Sequence, residues 1–103
     1  MSEVFVALSD PNRRRIVEWL ISREFATATV LAAELQITRQ AVARHLGLLE
    51  AVGLAESTKV GRETRFTARV EPLDDVNSWV VARQREWSGR LDLMRDALDE
   101  PCG

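Results

Sequence analysis

Cysteine and histidine are scarce in this chain of 103 residues, and long apolar runs are missing from it. The single cysteine, Cys102, excludes a disulfide within the chain and favours a reducing compartment. No apolar run approaches the roughly eighteen residues that span a bilayer, and residues 1–15 lack the basic and apolar regions of a secretory signal. The sequence therefore predicts a cytoplasmic protein without a membrane segment.

Recognisable catalytic groupings are missing as well. The chain has no glycine-rich phosphate loop and no paired cysteines, and its one histidine, His45, has no adjacent serine or cysteine nucleophile. A catalytic centre would have to be built from carboxylates alone, and one histidine does not make a metal site. We therefore expect no enzyme activity, no catalytic residues, no cofactor and no bound metal.

The charge of the chain is unevenly distributed along its length. The net charge of −2 argues at first against nucleic acid, because DNA-binding domains usually carry a basic footprint. Residues 1–70, however, hold ten basic and eight acidic residues, whereas residues 71–103 hold four and eight. Within residues 36–69 the count is six basic against three acidic. The sequence thus has a basic middle section and an acidic end.

Apolar residues recur at helical spacing in five stretches and at a spacing of two in one stretch, which predicts a mainly α fold with a small β-hairpin. The first helix covers residues 1–9. Asp10 can cap the second helix, with Pro11 in the first turn, where its missing N–H has no cost. The length suits one folding unit, so we interpret residues 1–103 as a single domain.

Residues 27–53 predict two short helices that meet across a tight turn, which is a helix-turn-helix. Thr27 or Thr29 caps the first of them. The second, capped by Thr38, ends at Gly53, a residue suited to the left-handed conformation that closes many helices. The apolar positions of this second helix predict its buried face: Val42, Leu46 and Leu49.

Residues 54–70 predict a β-hairpin, or wing, in which strands 54–60 and 63–70 are joined at Gly61 and Arg62. Alternation along the second strand separates a basic outer face from a buried inner one. The outer face is predicted to carry Arg65, Thr67 and Arg69, and the inner face Thr64, Phe66, Ala68 and Val70.

Residues 72–99 predict a long last helix with an apolar seam close to that of a coiled coil. The seam consists of Val80, Trp87, Leu91, Met94 and Leu98. Trp79 and Trp87 can line a pocket for an apolar ligand, but aromatic residues are enriched at buried interfaces. We therefore interpret the seam as a contact with a second copy of the chain.

The second helix of a helix-turn-helix reads DNA by placing its N-terminal half in the major groove. Gln can pair with adenine, Arg with guanine, and Ala allows close approach to a thymine methyl. Residues of these kinds lie on the predicted outer face of the helix: Arg39, Gln40, Ala43 and Arg44. Thr38 precedes them at the helix N-terminus, where free N–H groups can anchor a phosphate.

Other basic residues have both a DNA-binding and an ordinary interpretation. Arg62 at the hairpin tip can enter a minor groove, with Lys59 and Arg65 near the phosphates, or these charges can guard an exposed strand edge. Arg39 and Arg44 can be solvated helix charges. We assign His45 to packing or to a phosphate contact ahead of base reading. In the run of arginines at 13–15 the side chains point in different directions, so that one can touch a phosphate and another can pair with an acid.

Three segments resemble the ArsR/SmtB family of winged helix-turn-helix repressors in their order and spacing. They are ALSDPNRRRIVEWL, LAAELQITRQAVARHLGLLEAVGLAE and VGRETRFTA. The resemblance implies a homodimer, joined through the first and last helices, that binds a palindromic operator in double-stranded DNA and usually represses transcription. It extends the predicted dimer interface to Val4, Phe5 and Leu8.

The metal sensors of this family carry a Cys motif on the third helix or His and acidic ligands on the last helix. Residues 27–35 have neither Cys nor His, and residues 71–100 have no His, so the chain is closer to the metal-independent branch. Gln36 replaces a glycine that is common at the turn. Two alternatives stay open: a winged helix that binds a protein partner, and a regulator released from DNA by a metal or by a small-molecule effector, whose identity the sequence leaves unknown.

Overall fold

The computed structural model describes residues 1–99, in which five helices and one two-stranded antiparallel sheet follow the predicted order. The elements are α1 (Ser2–Leu8), α2 (Pro11–Ser22), α3 (Ala28–Leu35), α4 (Arg39–Ala51), β1 (Ala55–Val60), β2 (Glu63–Ala68) and α5 (Leu73–Asp99). The predicted mainly α fold with one hairpin is therefore confirmed. The contacts divide the chain into two compact units, Met1–Leu73 and a second that begins at Asp74.

The start of α2 follows the prediction made for Asp10. Its carboxylate accepts hydrogen bonds from the amide of Asn12 at 2.8 Å and from that of Arg13 at 3.3 Å, while Pro11 occupies the first turn. Burial opposes ionisation of Asp10, but the two amide bonds and the nearby charge of Arg13 outweigh it, and the pKa lies below the ordinary 3.8. The ionised carboxylate therefore stabilises this junction between α1 and α2.

The turn between α3 and α4 is set by hydroxyl caps on both sides. Thr27 accepts from the amide of Val30 at 3.2 Å, which decides between the two predicted caps, and Thr38 accepts from the amide of Ala41 at 3.0 Å. Gln36 closes α3 in the left-handed conformation, with φ of 58°. The turn therefore forms without the glycine that is common there, at the expense of backbone strain.

The end of α4 is a Schellman motif centred on Gly53, whose φ is +81°. The amide of Gly53 donates to the carbonyl of Glu50 at 3.0 Å, and the amide of Leu54 donates to that of Leu49 at 2.9 Å. Leu54 is thereby held in the core, and the strand begins one residue later than predicted.

The core of the first unit lies between α2, α3 and α4 and under the start of the wing. Its largest side chains are at most 1% exposed: Ile16, Leu20, Leu31, Val42, Leu46, Leu49 and Leu54. Because three of these belong to α4, the inner face of that helix is fixed and its opposite face is left to the solvent.

The hairpin pairs Ala55 with Ala68 at its base and Val60 with Glu63 at its tip, as the sequence predicted. Gly61 has φ of +64° and is the first of the two loop residues, as in a type II′ turn. A single bridge between Ala26 and Phe66 attaches the second strand to the segment before α3, with N···O distances of 3.0 and 2.8 Å. The wing is thus anchored through the middle of its second strand.

The last helix, α5, begins one residue after Pro72 and carries Asp74 and Asp75 in its first turn, where negative charge suits the helix dipole. Its predicted seam residues are all exposed in this single chain: Val80, Trp87, Leu91, Met94 and Leu98. Within residues 1–99, no helix is both long and apolar enough to cross a membrane.

Candidate nucleic-acid interface

The outer face of α4 presents a small and polar surface to the solvent. Gln40, Ala43 and Arg44 are exposed on it, opposite the buried positions of the helix. Gly47, one turn further along, is also exposed, and a Cβ added there would meet no other atom within 4 Å. Gly47 was not among the predicted residues, although its spacing from Ala43 places it on the same face.

The N-terminal end of α4 lies beside the N-terminal end of α3. Ala28 of α3 shares a shallow depression of about 480 Å³ with Arg39, Gln40 and Ala43. The side chain of Thr38 already caps the helix, and the first amides of a helix have no partner within it. Ala28 had no signal in the sequence, because its place beside α4 depends on how the two helices cross.

The tip of the wing lies near this end of α4. Arg39 and Arg62 line one cavity of about 390 Å³, together with Thr27 and Thr29 at the start of α3. Lys59, which faces Thr64 across the hairpin, is exposed. The structure therefore brings together predicted DNA-binding residues that are more than twenty positions apart in the sequence.

Arg65 differs from its predicted outward orientation. Its guanidinium lies over the ring of Phe25, 4.2 Å from the ring centre, and its Nε is 3.1 Å from a carboxylate oxygen of Glu63. The side chain is half-buried as a result. An aromatic face and a carboxylate already hold this charge, so Arg65 is less available to a phosphate than Lys59 or Arg62.

His45 lies away from the exposed face of α4. It is 7% exposed, and its Nδ1 is 3.3 Å from Nη1 of Arg13. Of the two roles that the sequence left open, burial favours packing, and the inclusion of His45 among the DNA-binding residues stays a prediction. The spacing of Val42, Leu46 and Leu49 did not reveal this, because a buried histidine needs a partner from another helix.

The first helix also departs from its predicted role in one respect. Val4 is buried inside its own unit with Ala7, so it was wrong to place Val4 in a dimer interface. Leu8 is half-buried and Phe5 is exposed, whereas Val6, which was not predicted, is 66% exposed.

An apolar groove of about 330 Å³, here called the α1–α4 groove, is open between these two helices. Val6 and Ala7 form one wall, Leu48 and Val52 form the other, and Arg13 also lines it. Val6 and Leu48 are both exposed. This groove joins the first helix to the same helix that carries the candidate DNA-binding face.

No group of three or more His, Cys, Asp or Glu side chains within residues 1–99 is arranged to hold a metal ion. The predicted independence of metal stays a prediction.

Comparison with known proteins decides the family. A model of a helix-turn-helix domain matches residues 8–58. An ArsR-like transcriptional regulator from Rhodococcus sp. RHA1, whose structure is solved, is 38% identical, with coverage of 95% of this chain and 89% of that chain and a TM-score of 0.82. This chain belongs to the ArsR family. The predicted winged helix-turn-helix and the predicted class, a DNA-binding transcriptional regulator, are confirmed by this ArsR-family membership.

Two further proteins that this ArsR-family chain resembles are described as a repressor and as a homodimeric DNA-binding domain. The transcriptional repressor SdpR of Bacillus subtilis is 27% identical over 81 residues, which are 79% of this chain and 89% of SdpR. The homodimeric winged helix-turn-helix DNA-binding domain Mb0332 from Mycobacterium bovis is 19% identical, with coverage of 82% and 78% and a TM-score of 0.65. At that identity Mb0332 supports the fold.

Proposed function

We propose that this ArsR-family regulator is a repressor that binds a palindromic operator as a homodimer. The observation that supports it most is the outer face of α4, where Gln40, Ala43 and Arg44 are exposed on a helix whose inner face is fixed in the core. Such a face fits the major groove, in which Gln and Arg can each pair with one base. Arg39 and Arg62, which share a cavity, add positive charge for the adjacent phosphates.

The exposed apolar surface of the single chain supports the homodimer. Trp87 and Leu98 on the α5 seam are 58% and 84% exposed, and the α1–α4 groove is open. Exposed apolar surface of this kind is unusual unless another molecule covers it, and a second copy is the occupant that the homodimeric relative Mb0332 suggests. Two α4 helices about 34–36 Å apart would then match half-sites one turn of DNA apart.

We propose repression as the activity because the similar protein SdpR is a transcriptional repressor and because repression is the usual activity that the family resemblance implies. A dimer bound at an operator prevents transcription by occupying the DNA. We propose that the chain acts in this way in the cytoplasm, by binding and without catalysis, and that it does not need a metal.

A binding experiment tests the proposal. Duplexes selected by the protein from a random library should contain a two-fold repeat, and the logarithm of affinity should fall linearly with the logarithm of salt concentration. Salt-insensitive binding, or selected duplexes without a repeat, would contradict the proposal.

Two substitutions separate base reading from phosphate contact. Gln40→Ala should weaken preference at one base pair in each half-site by about 1–3 kcal/mol. Lys59→Ala should weaken binding to all sequences to a similar extent and reduce the salt slope by about one. If Gln40→Ala keeps the full base preference, Gln40 does not read bases.

A further inference from the structure

Arg13, which lies in α2, contacts both the short first helix α1 and the helix α4 that carries the candidate DNA-binding face. Its Nε donates to the carbonyl of Ala7 at 2.6 Å, and its Nη2 donates to that of Val6 at 3.3 Å. Both carbonyls belong to the last turn of α1, where carbonyls have no amide donor from a following turn of the helix. The carbonyl of Val6 also accepts from the amide and the hydroxyl of Ser9, at 3.2 and 2.6 Å. Arg13 therefore closes α1 from its place in α2.

The third nitrogen of the same side chain faces α4. Nη1 of Arg13 is 3.3 Å from Nδ1 of His45, and the carboxylate of Asp10 lies 3.9 Å from that Nη1. A guanidinium only donates hydrogen bonds, so Nδ1 is the acceptor and the ring proton is on Nε2. His45 is buried on the inner face of α4, and the Arg13 side chain is 12% exposed. A single, largely buried guanidinium thus holds both α1 and α4.

The position of this guanidinium under the α1–α4 groove gives it a consequence for DNA binding. With seven residues, α1 is too short to be stable by itself, so its position depends on such contacts. Resting on the proposed function, in which a second protomer covers α1, the placement of α1 relative to α4 sets the distance between the two α4 helices.

We propose that Arg13 is a positioning residue that fixes α1 relative to α4 through His45, so that the dimer matches the spacing of its two half-sites.

A neighbouring residue offers a matched control. Arg14 donates from Nη1 to the carbonyl of Leu8 at 2.6 Å, at the same end of α1 but on the exposed side. That bond joins α1 to α2 and does not involve α4.

The test compares the wild type with Arg13→Met and Arg14→Met on three DNA probes. The probes are a duplex that the wild type selects from a random library, the same duplex with one base pair inserted between its half-sites, and a single half-site. We expect Arg13→Met to lose about tenfold in affinity for the selected duplex, the scale of one hydrogen bond to a charged group. It should discriminate less against the insertion and bind the half-site as the wild type does, whereas Arg14→Met should resemble the wild type throughout.

A second variant tests whether Arg13 acts through His45. His45→Leu should reproduce the loss on the selected duplex, and the double variant with Arg13→Met should lose no more than either one alone. Independent, additive losses would overturn the proposal. So would equal losses in Arg13→Met and Arg14→Met, or a loss on the half-site as large as that on the full duplex, which indicates only local damage.

The nitrogen chemical shifts of His45 provide a readout that needs no DNA. In the wild type they should show an unprotonated Nδ1. The chemical shift of Nδ1 should change in Arg13→Lys and should stay unchanged in Arg14→Met. Arg13→Lys also replaces Arg13→Met in this measurement if Arg13→Met does not fold. A protonated Nδ1 in the wild type would overturn the proposal. If the wild type selects no duplex at all, the proposed function fails, and these shifts still decide whether the bond exists.

Discussion

The first unit, which holds the helix-turn-helix, and the terminal helix α5 both carry apolar residues at helical spacing, but they differ in how far those side chains are buried. Leu31, Leu46 and Leu49 of the first unit are at most 1% exposed, whereas Trp87 and Leu98 of α5 are mostly exposed. The first unit covers most of its apolar surface with its own helices and leaves the α1–α4 groove open. Spacing therefore predicts an apolar face in both regions, but only the tertiary contacts show which face the chain covers by itself.

The two regions also differ in charge. Residues 1–70 have two more basic than acidic residues, whereas residues 71–103 have four more acidic than basic ones. A segment that repels DNA is best placed where it does not meet the phosphates. The negative net charge of the whole chain is therefore compatible with a DNA-binding face on α4 and the wing.

The largest expected effect is on the free energy of unfolding, when a leucine is replaced by alanine in each of the two regions. Leu31→Ala should lower the free energy of unfolding by about 2–5 kcal/mol, because Leu31 is fully buried and its removal leaves a cavity. Leu93→Ala on α5 should change it by about 0.5 kcal/mol or less, because Leu93 is 71% exposed and lies off the seam. Urea unfolding at equal protomer concentration measures both, and similar losses would contradict the comparison.

The next effect concerns association. Trp87→Ala should raise the dimer dissociation constant about 30-fold or more, the scale of an aromatic residue at the centre of an interface. Arg85→Ala, on the opposite side of α5, is the control and should leave the constant within about twofold, because exposed charges contribute little. Analytical ultracentrifugation measures the dissociation. An unchanged dimer in Trp87→Ala would place the interface elsewhere.

The smallest effect lies at the α1–α2 junction and depends on pH. The folded-state pKa of Asp10 is lowered, so its contribution to stability is present above the ordinary value of 3.8 and is lost as pH falls through the lower folded-state value. Asp10→Asn keeps a capping side chain without the charge. We expect similar stability at neutral pH and a shallower loss on acidification, measured as melting temperature against pH. An acid limb identical to that of the wild type would assign the loss to other groups.

The local features of the first unit could be read from the sequence because each depends on neighbouring residues. The caps at Asp10 and Thr38, the helix end at Gly53 and the hairpin tip at Gly61 all formed as predicted. Boundaries differed by one or two residues where a residue such as Leu54 belongs to the core. Periodicity and turn residues are thus sufficient for the elements of this fold.

The departures from the expected side-chain surroundings share one physical cause. Val4, His45 and Arg65 were assigned by their position on a single helix or strand, but their surroundings are decided by other elements. Arg13 reaches His45 from 32 positions away, and Phe25 lies under Arg65 from a different segment. No spacing within one element records such a contact, so the direction of a long side chain could not be predicted from the sequence.

Gly47 has a consequence for what the outer face of α4 can accommodate. It lies on the exposed face of α4 with open space where a side chain would be, and glycine there costs about 0.5–1 kcal/mol relative to alanine. An alanine there should therefore leave the scaffold intact and strengthen the helix. If α4 reads DNA as proposed, its outer face can gain a methyl group at position 47 without any compensating change in the core.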